Sequence, residues 1–225
     1  MLKNDSSERP SQRFAAILLT GLENEGFVFH KSKNQFVQEF EYGKRIISLS
    51  FVSTAGIISN IQIFYIIIFT KLEKQFKKIF PKYGWTNWTI ACNLNWTKNW
   101  LYERASGKYT DKSINLVAAE FFEKIKPEID SLRNRFKDYL SLHSEYNKEP
   151  IDFFDYLPSS RIEKRIIIGL ILVKWFELDA YEKSKTAYRK HFENYKGNDK
   201  DELRLKVEKG ISYLDTNDLF FNTTP

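Results

Sequence analysis

From Ser11 onward the apolar residues Phe14, Ile17, Leu18 and Leu22 recur at the spacing of one helix face, and Gly26 supplies a stop. The period then drops to two. Phe27 and Phe29 alternate with Val28 and His30, and after the short KSKN turn Phe36, Phe40 and Tyr42 mark one face against Glu39 and Glu41 on the other. Tyr42-Gly43-Lys44 reads as a tight turn into a third strand, Arg45 to Ser53, with Ile47, Leu49 and Phe51 on one side and Ser48 and Ser50 on the other. Ile57 to Phe69 is apolar on both faces and rich in β-branched residues, which predicts a central strand covered on both sides along its second half.

Helical spacing returns with Leu72, Phe76, Ile79 and Phe80, and Pro81 closes that helix. Its opposite face carries Lys71, Lys74, Lys77 and Lys78. The following stretch, WTNWTIACNLNWTKNW from Trp85 to Trp100, holds four of the five tryptophans. Trp88, Ile90, Cys92, Leu94 and Trp96 share one face of an extended strand, and Asn87, Thr89, Ala91, Asn93, Asn95 and Thr97 share the other. Strand alternation therefore explains both NWT triplets without a repeat. The apolar face belongs to the core, and the Asn/Thr face either meets water or hydrogen-bonds a partner.

Beyond Asp111, read as a helix cap, the chain turns helical. Ile114, Val117, Ala118, Phe121, Phe122 and Ile125 form one stripe, continued past Pro127 by Ile129, Leu132, Phe136, Tyr139 and Leu140. A kinked helix and two abutting helices both fit that proline. Ser160 with Glu163 forms a capping-box pattern before a helix through Ile162, Ile166, Ile167, Leu170, Val173 and Phe176, and Asp179 with Glu182 forms a second before Tyr181, Tyr188, Phe192 and Tyr195. Asp199 with Glu202 opens a last helix through Leu203, Val207, Ile211 and Leu214. The pattern predicts an α+β protein: a twisted antiparallel sheet of about five strands in the N-terminal half with flanking helices, then an all-helical C-terminal subdomain. The expected limits are a disordered arm at 1–10, a sheet region at 11–105, helices at 106–214 and a tail at 215–225, within one integrated domain.

Composition narrows the function classes. A chain of 225 residues, 16% aromatic, is long enough for a core built from large rings. The single cysteine, Cys92, forbids an intrachain disulfide, and on the apolar strand face it reads as a small hydrophobe. The polar start MLKNDSSERPSQ has no apolar segment of a signal peptide, and no run reaches membrane-spanning length, so the expected location is cytoplasmic with no membrane span. The sequons at Asn4, Asn87, Asn95 and Asn222 then carry no meaning. The net charge of +6 is concentrated in KLEKQFKKIFPK, whose five lysines face one glutamate. Elsewhere charges interleave as on solvated helix faces.

Chemistry is sparse. His30, His143 and His191 lie in separate elements, and no metal-ligand spacing, phosphate-binding glycine loop or nucleophile elbow occurs. Asp152 with Asp155, and Glu120 with Glu123, are carboxylate pairs of the common solvated or salt-bridged kind. The expectation is therefore no cofactor, no metal and no catalytic residues.

LLTGLENEGFVFHKSKNQFVQEF, KRIISLSF and NIQIFYIIIF, with the tail IIIGLILVKWFELDAYEKSKTAYRKHF, resemble a bacterial family of uncharacterised α+β proteins, a domain of unknown function. The resemblance covers about two-thirds of the chain. Such families resemble immunity proteins of toxin systems, which implies a small α+β domain that neutralises a partner and carries no catalytic residues. The reading drawn from all this is a non-enzymatic protein-interaction module, in that light an immunity-type protein, with Trp100, Tyr102, Arg104 and Tyr109 as the partner-binding cluster. The alternative is a nucleic-acid-binding protein using Lys71, Lys74, Lys77, Lys78 and Lys82 as a phosphate-contacting face.

Overall fold

The alternating segments form a sheet, and its central strand has the limits that the apolar run sets. The computed structural model describes residues 10–54, 57–82, 88–94, 98–99, 110–148 and 162–219. Helix α1 (Pro10–Leu22) is followed by a 3-10 turn at Glu23–Glu25 and by strands β1 (Val28–His30), β2 (Gln35–Phe40), β3 (Gly43–Thr54) and β4 (Ile57–Phe69). Helix α2 (Thr70–Ile79), strand β5 (Ile90–Asn93) and the short β6 (Lys98–Asn99) come next. The rest is helical: α3 (Asp111–Glu120), a π turn at Phe121–Ile125, α4 (Lys126–Arg135), α5 (Tyr139–Lys148), α6 (Ile162–Phe176), α7 (Tyr181–Glu193) and α8 (Lys200–Thr216). The class is α+β, with the antiparallel sheet in strand order β1-β2-β3-β4-β5 and β6 also pairing with β4.

The chain divides into two compact units, residues 1–67 with 92–134 and residues 68–91 with 135–225, so β4 and β5 each run from one unit into the other. In the first unit, Phe36 of β2 sits opposite Phe29 of β1 and Ile47 of β3, which fixes the register of both pairings. Its ring lies 4.8 Å from that of Phe29, centroid to centroid, a cross-strand aromatic pair on the buried face. Gly26 ends the first helical segment at φ 82°, a conformation glycine adopts without penalty, and the KSKN turn closes with Asn34 at φ 51°. Along β4 the odd positions from Ile61 to Ile67 are fully buried, while the even face is half-buried except at Ile66. Helix α1 buries Phe14, Ala15, Leu18 and Leu22 and packs on α3.

Pro127 does not break its helix. Residues from Asp111 to Arg135 stay helical because the chain opens into the π turn just before the proline, where the Lys126 N–H bonds the Phe121 carbonyl five residues back. A proline has no N–H to give and its ring crowds the carbonyl four residues earlier, and the wider turn removes that conflict. The cap of α3 is Thr110, not Asp111. Its side chain accepts from Ser113 N at 3.2 Å while Ser113 Oγ accepts from Thr110 N at 3.2 Å.

In the second unit α6 is buried along its whole first three turns, Glu163, Lys164 and Arg165 included. It packs against α2, α5, α7 and α8. Close approach is possible at Gly169, where a Cβ would land on the Tyr188 hydroxyl, and at Gly210, where it would land on Ile167. Helices α7 and α8 are tied by Lys185 Nζ to Asp215 Oδ1 at 3.1 Å and by the Tyr181 hydroxyl to the same oxygen at 3.0 Å. Lys174 donates to the carbonyls of Leu214 and Asn217 at the end of α8, the favoured place for a cation.

Several local expectations fail here for identifiable reasons. Asp179 does not cap α7; a 3-10 turn at Leu178–Ala180 intervenes, Ala180 precedes the helix, and Glu182 pairs with Lys185 at 2.7 Å instead. Asp199 stands before α8, but its carboxylate accepts from the Tyr195 hydroxyl at 3.0 Å and makes no side-chain cap. Leu140 is 59% exposed, because the helix stops after Arg135 and restarts at α5 under an Asp138 cap that donates its N–H to Ser141 Oγ and accepts from Ser141 N at 2.7 Å. The break resets the angular phase and turns Leu140 out. Ser160, Asp152 and Asp155 fall within 149–161, which lies outside the described residues.

Candidate functional site

Helix α2 sorts its residues by angle. Leu72, Phe76 and Ile79 fall at i, i+4 and i+7 and are buried, and Glu73 lies beside them at the edge of the same stripe, also buried. Lys71, Lys74, Lys77 and Lys78 take the remaining face and are exposed, as is Lys82 in the turn beyond Pro81. The single acid of the segment thus points inward, and the solvent face of α2 carries only positive charge. Lys74, Lys77, Lys78 and Lys82 make no ion pair among the described residues.

What holds Glu73 inside is a complete set of hydrogen bonds. Lys164 Nζ of α6 lies 2.8 Å from Oε2, and the Thr89 hydroxyl donates to Oε1 at 2.9 Å. Lys164 also donates to the Trp88 carbonyl at 2.7 Å, and Thr89 Oγ1 accepts from the Phe69 N–H at 3.0 Å. The Tyr146 hydroxyl donates to the Thr89 carbonyl at 2.9 Å. A buried charge is tolerated only when it is paired and its remaining lone pairs and protons are used, and this network satisfies that condition. It anchors α2, so the lysine face is presented from a rigid element.

Thr89 therefore belongs to the interior, with no exposure, whereas strand alternation places it on the Asn/Thr face expected to meet water or a partner. Ala91 is buried beside it, and Asn93 alone of the described odd positions is exposed. On the even face Ile90, Cys92 and Leu94 are buried as the alternation predicts, and Trp88 is half-buried at the strand's entrance. Asn95, Trp96 and Thr97, like Trp85 and Asn87, lie outside the described residues. So do Trp100, Tyr102, Arg104 and Tyr109, the proposed partner-binding cluster.

The histidines lie in three different elements, β1, α5 and α7. His30 is exposed on β1, whereas His143 is buried in α5, its Nδ1 2.9 Å from Asn147 Nδ2 and its Nε2 3.4 Å from a Glu177 carboxylate oxygen. Glu120 pairs with Lys124 at 3.1 Å, the ordinary i, i+4 bridge. Among the described residues no group of three or more His, Cys, Asp or Glu side chains is placed to hold a metal ion. Also among them, no helix is long and apolar enough to cross a membrane. A shallow groove between α7 and α8 is lined by Arg189, Phe192, Glu193, Arg204, Val207 and Glu208, and there Arg189 and Glu208 pair at 2.6 Å.

Sequence reasoning named the five lysines but missed the ion pair beneath them. A helical wheel held the signal for Glu73, because residues 73, 76 and 80 fall at i, i+3 and i+7 on the apolar side. Lys164 had no such signal, because α6 is buried on every face and its periodicity is weak. Comparison of the chain with protein-family models, with curated proteins and with solved structures finds no match.

Proposed function

We propose that the chain is a binding protein that holds the phosphate backbone of a nucleic acid against the lysine face of α2. The observation that supports this reading is the separation of charge on that helix: Glu73 inward, and Lys71, Lys74, Lys77 and Lys78 outward. A helix needs no such arrangement for its own stability. Lys77 and Lys78 lie in the last turn, where cations favour the helix dipole, but Lys71 lies in the first turn, where a cation opposes it. Lys74, Lys77 and Lys78 are exposed and make no ion pair among the described residues, a face that an anionic partner would match. Nucleic-acid phosphates suit a row of flexible ammonium groups because each releases a counterion on contact.

Fluorescence anisotropy with single-stranded and duplex probes across a salt series tests the reading. If three to five lysines contact phosphates, the logarithm of the binding constant falls against that of salt with a slope of about −0.9 per contact on duplex. Each Lys→Gln change at positions 74, 77 and 78 then flattens the slope by about one. Absent binding, or binding indifferent to salt, rejects it.

The second reading is an acidic protein partner, and the protein-interaction module, the immunity-type neutraliser included, is proposed in that form. The same lysine face would meet the partner's carboxylates. A pull-down distinguishes the two: one dominant protein that survives nuclease and is lost in the Lys→Gln variant supports the second reading against the first.

A further inference from the structure

Among the described residues of the first unit, three buried side-chain atoms able to donate make no geometrically well-formed hydrogen bond: Arg45 Nε, Arg133 Nε and the Tyr65 hydroxyl. Donors with no acceptor among the protein groups around them are positioned to bond an added acceptor. Arg45 projects from β3 opposite Gln38 of β2, and its Nη1 donates to Gln38 Oε1 at 3.1 Å. Gln38 in turn donates to the Glu25 carbonyl, so its amide is committed. Arg133 of α4 donates through Nη2 to Glu25 Oε2 at 2.5 Å, with an Asp130 oxygen 3.7 Å away. Lys126 Nζ takes the other Glu25 oxygen at 2.8 Å and both Asp130 oxygens at 2.6 Å. Both carboxylates are therefore already used.

Counting charges, Arg45, Arg133 and Lys126 stand against Glu25 and Asp130, which leaves one positive charge unmatched. It resides on Arg45, which makes no ion pair among the described residues. Its guanidinium is held over the Phe40 ring, 4.0 Å from the centroid, and Arg133 lies over Phe27 at 5.8 Å. Burial first, and then the Arg133 charge, push Arg45 below its usual pKa, which marks a cation short of a counter-charge. Tyr65 on β4 has no exposure, and both guanidinium charges act on its hydroxyl. Cations around that oxygen face its lone pairs and leave its proton without an acceptor.

We propose that Arg45, Arg133 and Tyr65 bind one phosphate-type oxyanion, free or as a monoester on a larger ligand. A guanidinium matches such a group with two parallel N–H donors, and the edge of Arg45 formed by Nε and Nη2 makes no hydrogen bond among the described residues. Two strands and a helix supply the donors, and each of the three groups acts electrostatically on the others. A tetrahedral anion with three or four oxygens meets them better than a planar carboxylate with two. This site uses none of the lysines of α2 named in the proposal above, so each can fail alone.

Titration of the full chain with inorganic phosphate and with phenyl phosphate, at constant ionic strength in chloride, tests the site by 31P NMR and thermal shift. The expected result is saturable one-to-one binding, weakened by about tenfold or more in Arg45→Gln and by a smaller factor in Tyr65→Phe. Arg45→Lys keeps the charge but loses the paired donors, and is expected to bind nearly as poorly as Arg45→Gln. The Lys74→Gln/Lys77→Gln/Lys78→Gln variant is expected to bind phosphate like the parent. If Arg45→Gln does not fold, Tyr65→Phe removes only a hydroxyl and keeps the test open. Phenyl phosphate binding as well as inorganic phosphate identifies a monoester-accepting site, and inorganic phosphate alone a closed one. No saturation beyond the chloride control, as when a water fills the acceptor position, overturns the proposal, and so does binding that survives both Arg45 changes.

Discussion

Lys164 and Glu73 lie 91 residues apart in the chain and 2.8 Å apart in space, with side-chain exposures of 1% and 7%. Each partner is also bonded to its surroundings, Glu73 to the Thr89 hydroxyl and Lys164 to the Trp88 carbonyl. Removing Glu73 alone leaves a buried ammonium held by the Trp88 carbonyl, and such uncompensated charges cost about 3–5 kcal/mol. Glu73→Leu is therefore expected to lower unfolding free energy by that amount in urea. Glu73→Leu/Lys164→Met is expected to recover most of it, since apolar replacement of a buried pair is often near neutral. A double variant as unstable as the single one would show that the pair itself, and not the orphaned charge, carries the effect.

Gly169 and Tyr188 give a second test. A methyl group at Gly169 meets the Tyr188 hydroxyl and ring, and Tyr188 is fully buried, with its hydroxyl 3.2 Å from the Tyr146 carbonyl and 3.1 Å from Asn147 Oδ1. Alanine improves helix propensity by about 1 kcal/mol, but overpacking against an immobile ring costs about 1–3 kcal/mol, so Gly169→Ala is expected to destabilise on balance. Tyr188→Phe alone is expected to cost about 1–2 kcal/mol from the lost hydrogen bond. The two changes together are expected to cost less than their sum, because the phenylalanine lacks the atom that the new methyl strikes. Strict additivity in denaturation curves would argue against that contact.

Alkaline pH supplies a third. Burial pushes the hydroxyls of Tyr65 and Tyr188 up to about 12, from an ordinary value of about 10. A raised acid keeps its proton longer in the folded state, so the unfolded chain binds fewer protons above pH ~10 and stability falls with rising pH. The contribution is intact below about pH 10 and is lost progressively toward about pH 12, at up to about 1.4 kcal/mol per pH unit for each tyrosine. Unfolding midpoints followed from about pH 9 to 11 are expected to drop more steeply in the parent than in Tyr188→Phe. Parallel curves for the two would remove Tyr188 from the account.

Much of the fold was written in the chain, and the parts that were not share a cause. The limits of β4 follow from an apolar run with no competing signal, and the stripe of Leu203, Val207, Ile211 and Leu214 is buried in α8 as its spacing predicts. Capping was harder to read. Thr110 and Asp111 are both competent cap residues, and a hydrogen bond to Ser113 settled the choice, not residue type. Asp179 and Asp199 show the reverse case, with suitable residues at suitable positions whose carboxylates make no cap.

The candidate sites divide in the same way. The lysine face of α2 was legible because a helix displays its angular order in sequence. The cluster of Arg45, Tyr65 and Arg133 was invisible because it joins two strands and a helix whose residues are far apart in the chain. No local pattern records that the leftover atoms are all donors.

The π turn at Phe121–Ile125 makes the α3–α4 rod carry spare chain length at one place. A single-residue deletion in α3, Asp111–Glu120, would swing everything beyond it by about 100° and move Ile129 and Leu132 off the core. Within the turn, the widened backbone can close to an ordinary helical turn and absorb such a loss, except that Pro127 then meets the carbonyl it had been spared. The proline thus acts as a lock on chain length, and exchanging it for alanine should make this stretch the one part of the rod that tolerates a missing residue.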